Sequence, residues 1–290
     1  VSTMIAPPYS LRLSDYVESG YDRVQVNIIP LDMSLISYKV KLKLIIESYD
    51  GRIRIETDPN YVPAPIYLQG GVTEILTSYD LQQLFNLNNL IFKGYSKTEY
   101  LRNNQLPENF YWMGIEVVDY NRATARTGND VTVSNFGFST VAAFINDPPI
   151  LNLPQNRLKL AIYDPQQIIF QWTPRHKASP NSAFNATYTF KLYEVWNEAS
   201  DPNVIARTQL PIFETEVYDS RMIYGIGEPI LIPGKKYVWT VRAHEEQNRD
   251  LFRNNGLSEA YMFTYGDECK VPTSFTGESV NGPGLELKWQ

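Results

Sequence analysis

Two histidines, one cysteine and a few adjacent carboxylates are the residues of this chain whose types could do chemistry. His244-Glu-Glu-Gln-Asn248 begins like the HExxH helix that holds zinc. Asn248 stands where the second ligand belongs, however, and the segment follows directly on a strand pattern. Glu245/Glu246 and Asp267/Glu268 are adjacent carboxylate pairs. Glycoside hydrolysis needs two carboxylates about 5–10 Å apart across a cleft. Neighbours on a strand or turn point apart, so the expected role of both pairs is solvated charge. Cys269 sits in no CxxC, and GxSxG, GxxxxGK[ST] and a strand-to-helix GxGxxG are absent. The sequence predicts no catalytic residue, no metal ligand and no cofactor, hence no enzyme.

Phe110-Tyr111-Trp112 is the one aromatic run that could stack on a sugar. In a strand Phe110 and Trp112 face one side and Tyr111 the other. One side must be core; the expectation is core packing, with Tyr111 at an edge or interface.

The elements that position these residues follow from composition and pattern. The chain has 290 residues, 43% of them hydrophobic, enough for two domains and part of a third. Twenty Tyr favour strands and interfaces, and 19 Pro leave no room for long helices. A net charge of −6 argues against nucleic acid or an anionic membrane surface, both of which need basic patches. No stretch of 18 apolar residues is present, which excludes a membrane-spanning helix. The chain opens Val1-Ser2-Thr3, which reads as processing or excision.

Tyr38–Ile46 and Arg52–Thr57 alternate apolar and polar residues around Asp50-Gly51, a hairpin with a half-buried sheet. Thr77 or Ser78 as cap, Asp80 in the first turn and Leu81, Leu84 and Phe85 on one face predict a short helix over 77–86. Strand pattern resumes at Phe110–Val118, Val131–Ser134 and Phe138–Ile145. Asp147-Pro148-Pro149 marks a boundary. Short strands follow at Leu158–Ile162, Ile168–Trp172, Tyr188–Val195, Phe213–Tyr218, Tyr237–Ala243 and Ala260–Tyr265, a density that suits a β-sandwich. The expected fold class is all-β, as tandem β-sandwiches. An immunoglobulin- or macroglobulin-like domain over 1–147 precedes a second sandwich over 148–268 and the start of a third over 269–290.

Ile168-Ile-Phe170-Gln-Trp172 and Tyr237-Val-Trp239-Thr-Val241-Arg-Ala243, with the turn Leu231-Ile-Pro233-Gly234, resemble the fibronectin type III family. There an early strand carries a core Trp. A late strand reads Tyr-x-Val-x-Val-x-Ala after a Leu-x-Pro-Gly turn; Trp239 here replaces the commoner Val. The resemblance implies that Tyr237 is a corner tyrosine whose hydroxyl bonds nearby backbone. Leu285-Glu-Leu-Lys-Trp289 repeats the spacing of Ile168–Trp172, which implies a further fibronectin-like domain from about 269, of which two strands are present.

Leu106–Tyr120, Asn146–Pro154 and Phe170–Arg175 together resemble a group of very long surface proteins of the Bacteroidota, those with so-called TANFOR regions. That resemblance implies export to the cell surface, outer membrane or periplasm. It also implies a noncatalytic structural or protein-interaction role with protein partners in the cell envelope, and more remotely an association with type IX secretion or gliding machinery. In an exported chain an odd cysteine reads as a half-disulfide, so Cys269 would pair beyond Gln290, with a buried or a reactive thiol as alternatives. In a fibronectin-like sandwich the loops 173–184 and 244–256 emerge at one end. They would gather Arg175, His176, Lys177, His244, Glu245, Arg249, Phe252 and Arg253 into a partner-contact surface; a hydrated rim packed on a neighbouring domain is the other reading. The alternative function is a carbohydrate-binding accessory module of a secreted enzyme, with Trp112 or Phe252 meeting the glycan.

Overall fold

The computed structural model describes residues 1–18, 22–123, 130–182, 184–197, 199–245, 251–267, 275–280 and 284–289, with backbone alone for 122–123, 275–280 and 284–289. The fold is all-β: several sheets, almost entirely antiparallel, with two short α-helices among the described residues, α1 (Lys97–Asn103) and α2 (Pro202–Thr208). The chain forms two compact units, one of Val1–Asn146 with His176–Asn185, the other of Asp147–Arg175 with Ala186–Gln290.

The first unit contains β1 (Ser2–Ile5), β2 (Val24–Ile28), β3 (Tyr38–Ser48), β4 (Arg54–Thr57), β5 (Ile66–Leu68), β6 (Glu74–Leu76), β7 (Leu90–Lys93), β8 (Asn109–Ala123), β9 (Asp130–Thr132) and β10 (Gly137–Ala143). A small sheet runs β1-β2-β6, and a large one runs β10-β8-β3-β4-β7, with β5 on β3 and β9 on β8. Alternation decides the faces. Register sets Leu42 opposite Val117, Leu44 opposite Ile115 and Ile46 opposite Met113, and these join Val24, Val26 and Ile28 of the small sheet in one core. The other face of β3 and β8 carries Lys43 opposite Glu116, Ile45 opposite Gly114 and Glu47 opposite Trp112.

The second unit contains β11 (Ile150–Leu153), β12 (Leu158–Leu160), β13 (Ile168–Thr173), β14 (Ala186–Glu194), β15 (Phe213–Val217), β16 (Arg221–Tyr224), β17 (Lys236–Glu245) and β18 (Tyr261–Tyr265). One sheet is ordered β11-β13-β16, the other β12-β18-β17-β14-β15, with β12 parallel to β18. Phe170 is central, its ring 4.8 Å from Phe190, 5.0 Å from Trp239 and 5.8 Å from Phe263. The Tyr237 hydroxyl accepts a hydrogen bond from Ile232 N at 2.8 Å, which ties the Pro233-Gly234 turn to the strand it feeds. The segment from 269 contributes two strands, β19 (Phe275–Val280) and β20 (Gly284–Trp289), paired antiparallel in a separate sheet.

The helix expected at 77–86 does not form. The Asp80 carboxylate accepts from Thr77 N and Oγ1, and only the 3-10 turn Gln82–Leu84 follows. Ser78 is no cap; its buried hydroxyl accepts from Arg23 N and Val24 N. Asn86 then caps a second 3-10 turn, Leu87–Asn89, and stops the run. Leu81, Leu84 and Phe85 are nevertheless buried. The helices lie elsewhere: α1 behind a Ser96/Glu99 capping box, α2 behind Asp201 with Pro202 in its first turn.

Candidate functional site

The loop residues expected to form one contact surface take separate roles. Arg175 Nη2 lies 2.6 Å from Asp147 Oδ2, and Arg253 Nη1 lies 3.1 Å from Asp147 Oδ1. One carboxylate thus joins the ends of two loops of the second unit. Asn254, Asn255 and Gly256, which follow Arg253, all have positive φ, and a Cβ on Gly256 would lie 1.8 Å from Ala243 O. That turn needs the Asn-Asn-Gly sequence to set Arg253 in place.

His176 and Lys177 belong to the first unit. His176 is buried, with its ring 5.2 Å from Phe184. Burial, and the charge of Lys177, hold it below the ordinary imidazole value. The anchor of this segment is Asn181, which sequence reasoning passed over. It is 1% exposed, its Oδ1 accepts from Tyr9 N at 2.8 Å, and its Nδ2 donates to Tyr9 O at 2.7 Å and Phe144 O at 3.2 Å.

His244 is half-buried with Nε2 3.5 Å from Glu216, while Glu245 and Phe252 are buried. Burial removes Phe252 as a stacking platform. Arg249 and Cys269 lie outside the described residues. Among the described residues no group of three or more His, Cys, Asp or Glu side chains is placed to hold a metal ion.

The outer face of the large sheet in the first unit holds a cluster of linked ion pairs. Glu56 Oε1 lies 2.6 Å from Lys93 Nζ, and Glu56 Oε2 lies 3.1 Å from Lys43 Nζ and 3.3 Å from Arg54 Nη2. Burial opposes ionisation of Glu56, but hydrogen bonds from Lys93 and Lys43 and the charges of Lys43 and Arg54 outweigh it and bring it down to about 2. Arg54 also pairs with Glu47, and Lys41 with Asp130 at 2.7 Å. A cavity of about 360 Å³ opens here, lined by Lys41, Lys43, Glu56, Tyr61, Lys93 and Asp130 among others. Its cations are matched by carboxylates, so the cavity has no excess charge to recruit an ion.

Beside these ions the expected facing of the aromatic run is reversed. Tyr111 is fully buried in the core, and its hydroxyl donates to Pro107 O at 2.7 Å. Phe110 is exposed, and Trp112 is half-exposed on the outer face. The signal was the longer phase: Met113, Ile115 and Val117 fall in step with Tyr111, whereas Gly114 and Glu116 fall in step with Trp112. Comparison with protein-family models and with curated proteins finds no match for this chain.

Proposed function

We propose that the chain is a noncatalytic structural and protein-interaction segment of a large exported surface protein, built from fibronectin-like sandwiches. The observation that carries this reading is the strand order of the second unit, three strands facing four, with β12 added beside β18 and the Tyr237 hydroxyl bonded to backbone five residues upstream. The order supports a fibronectin type III assignment; the envelope location and the secretion or gliding association rest on the sequence resemblance to the long Bacteroidota surface proteins. The polar side chains also favour a scaffold: Arg175 and Arg253 brace Asp147, and His176 is packed on Phe184.

The test is chemical cross-linking of intact cells followed by recovery of the tagged full-length protein. Reproducible cross-links from these residues to one envelope protein support the reading. Turnover of any peptide, ester or glycoside by the purified chain, or cross-links within the same polypeptide alone, would overturn it.

A further inference from the structure

The first unit places a set of its aromatic rings outside its hydrophobic core. Tyr49, Trp112, Phe138 and Phe136 form a continuous row, with centroid separations of 5.6, 6.1 and 5.2 Å. Tyr49 is 68% exposed and Phe138 48% exposed. The strands leave room for the row. Phe138 on β10 faces Gly114 on β8, and a Cβ at position 114 would lie 2.7 Å from that of Phe138. Any other residue at 114 would lift Phe138 off the strand pair.

Polar groups interrupt the rings. The in-register neighbours of Trp112 are Glu47 on β3 and Thr140 on β10, and Arg54 sits opposite Glu47 and pairs with it. A hydrogen-bonding group therefore borders the indole on each side. The Glu47–Arg54 pair is neutral in sum, which favours neither an anionic nor a cationic ligand. A well-packed protein interface depletes charge at its core and needs a contiguous apolar patch; this face alternates ring with ion and hydroxyl.

From this arrangement we infer that the outer face of β3, β8 and β10 binds a neutral oligosaccharide, whose apolar C–H faces stack on the rings while its hydroxyls meet Glu47, Arg54 and Thr140. The rings are not coplanar: Tyr49 and Phe138 stand at 70° and 57° to Trp112. A stepped row fits single, twisted glycan chains and not the flat surface of a crystalline polysaccharide. This site is separate from the protein-partner role proposed above, and either can fail without the other.

The experiment is calorimetric titration of the 290-residue protein with neutral β- and α-linked gluco-, manno- and xylo-oligosaccharides, with depletion on the matching soluble and crystalline polysaccharides. Binding of at least one soluble neutral glycan is expected, with affinity lowered about tenfold or more by Trp112→Ala. Tyr49→Ala is the second variant, because its exposed ring can be removed without disturbing the sheet, and it should weaken binding severalfold. Thermal melts of each variant check folding. Absence of binding to every glycan, full affinity in folded Trp112→Ala and Tyr49→Ala proteins, or binding to a protein partner that uses these rings in place of any glycan would each overturn the inference.

Discussion

The two units fill their central cores with different kinds of residue. In the second unit Phe170, Trp172, Phe190, Trp239 and Phe263 are fully buried and fill the space between the sheets. In the first unit the central core is mainly aliphatic; Tyr16, Phe85, Tyr100 and Tyr111 are buried in it and further rings such as Tyr61 and Phe92 pack at its margin, while Tyr49, Phe110 and Phe138 stay exposed. Rings are the largest apolar groups a small sandwich can bury. A unit whose core is mainly aliphatic, and which also holds a contiguous row of rings on its surface, has a reason to hold them there.

The contrast breaks most sharply under truncation. Phe170 is 0% exposed and touches four other rings, so Phe170→Ala is expected to cost about 3–5 kcal/mol and to unfold the second unit first. Trp112→Ala in the first unit should cost no more than about 1 kcal/mol, because its ring lies outside the core. Chemical denaturation followed by hydrogen exchange, which reads each unit separately, makes the comparison. Equal costs would mean that the outer ring row is a second core and not a surface.

Asn181 tests a polar anchor in the same frame. Asn181→Ala leaves the Tyr9 amide and carbonyl groups and the Phe144 carbonyl without their side-chain partner, at a cost of about 2–3 kcal/mol. Faster exchange of the Tyr9 amide, with the amides of β17 unchanged, is the expected result. A rise throughout both units would show that the clasp supports more than its own segment.

Acid should separate the units by a smaller amount. The Glu56 carboxyl falls from 4.5 to about 2 in the folded state, so the stability it contributes is fully present above pH 4.5 and is lost as pH falls toward 2. Partly buried among three cations, it is worth on the order of 2 kcal/mol to the first unit. The second unit has exposed pairs such as Lys191–Glu214, which contribute about 1 kcal/mol or less. Melting between pH 5 and pH 2.5 should therefore weaken the first unit more, and Glu56→Gln should flatten its slope.

Much of this was legible in the residues. Alternation located β3, β8, β13, β14 and β17, and the turn pairs Asp50-Gly51 and Pro233-Gly234 closed the right loops. The Ser96/Glu99 capping box and the Asp201-Pro202 start are equally readable, but the apolar spacing at 77–86 is the stronger helical pattern. There Asp80 and Asn86 favour tight turns over a continuing helix. The site was harder. Tyr111, expected at an edge or interface, instead buries its ring and ties its hydroxyl to backbone, the role the corner-tyrosine pattern implied for Tyr237 alone. Asp147 read as linker punctuation because its arginine partners come from loops distant in sequence. Long-range pairing of that kind leaves no local pattern.

The smallest expected effect is the most discriminating about ring packing. Trp239 is fully buried, and its indole Nε1 has no hydrogen-bond partner among the described residues. A buried donor without a protein partner costs about 1–3 kcal/mol, offset by edge packing against Phe170 at 5.0 Å and 66°. Trp239→Phe removes the unsatisfied donor and a few ring atoms together. The two terms oppose, so the net change should stay within about 1 kcal/mol, far below the loss at Phe170. A stability curve for Trp239→Phe superimposing on that of the parent would mean that the second unit needs aromatic volume at this position and not the indole. A loss of several kcal/mol would mean that shape at this one ring governs the packing of the whole aromatic core.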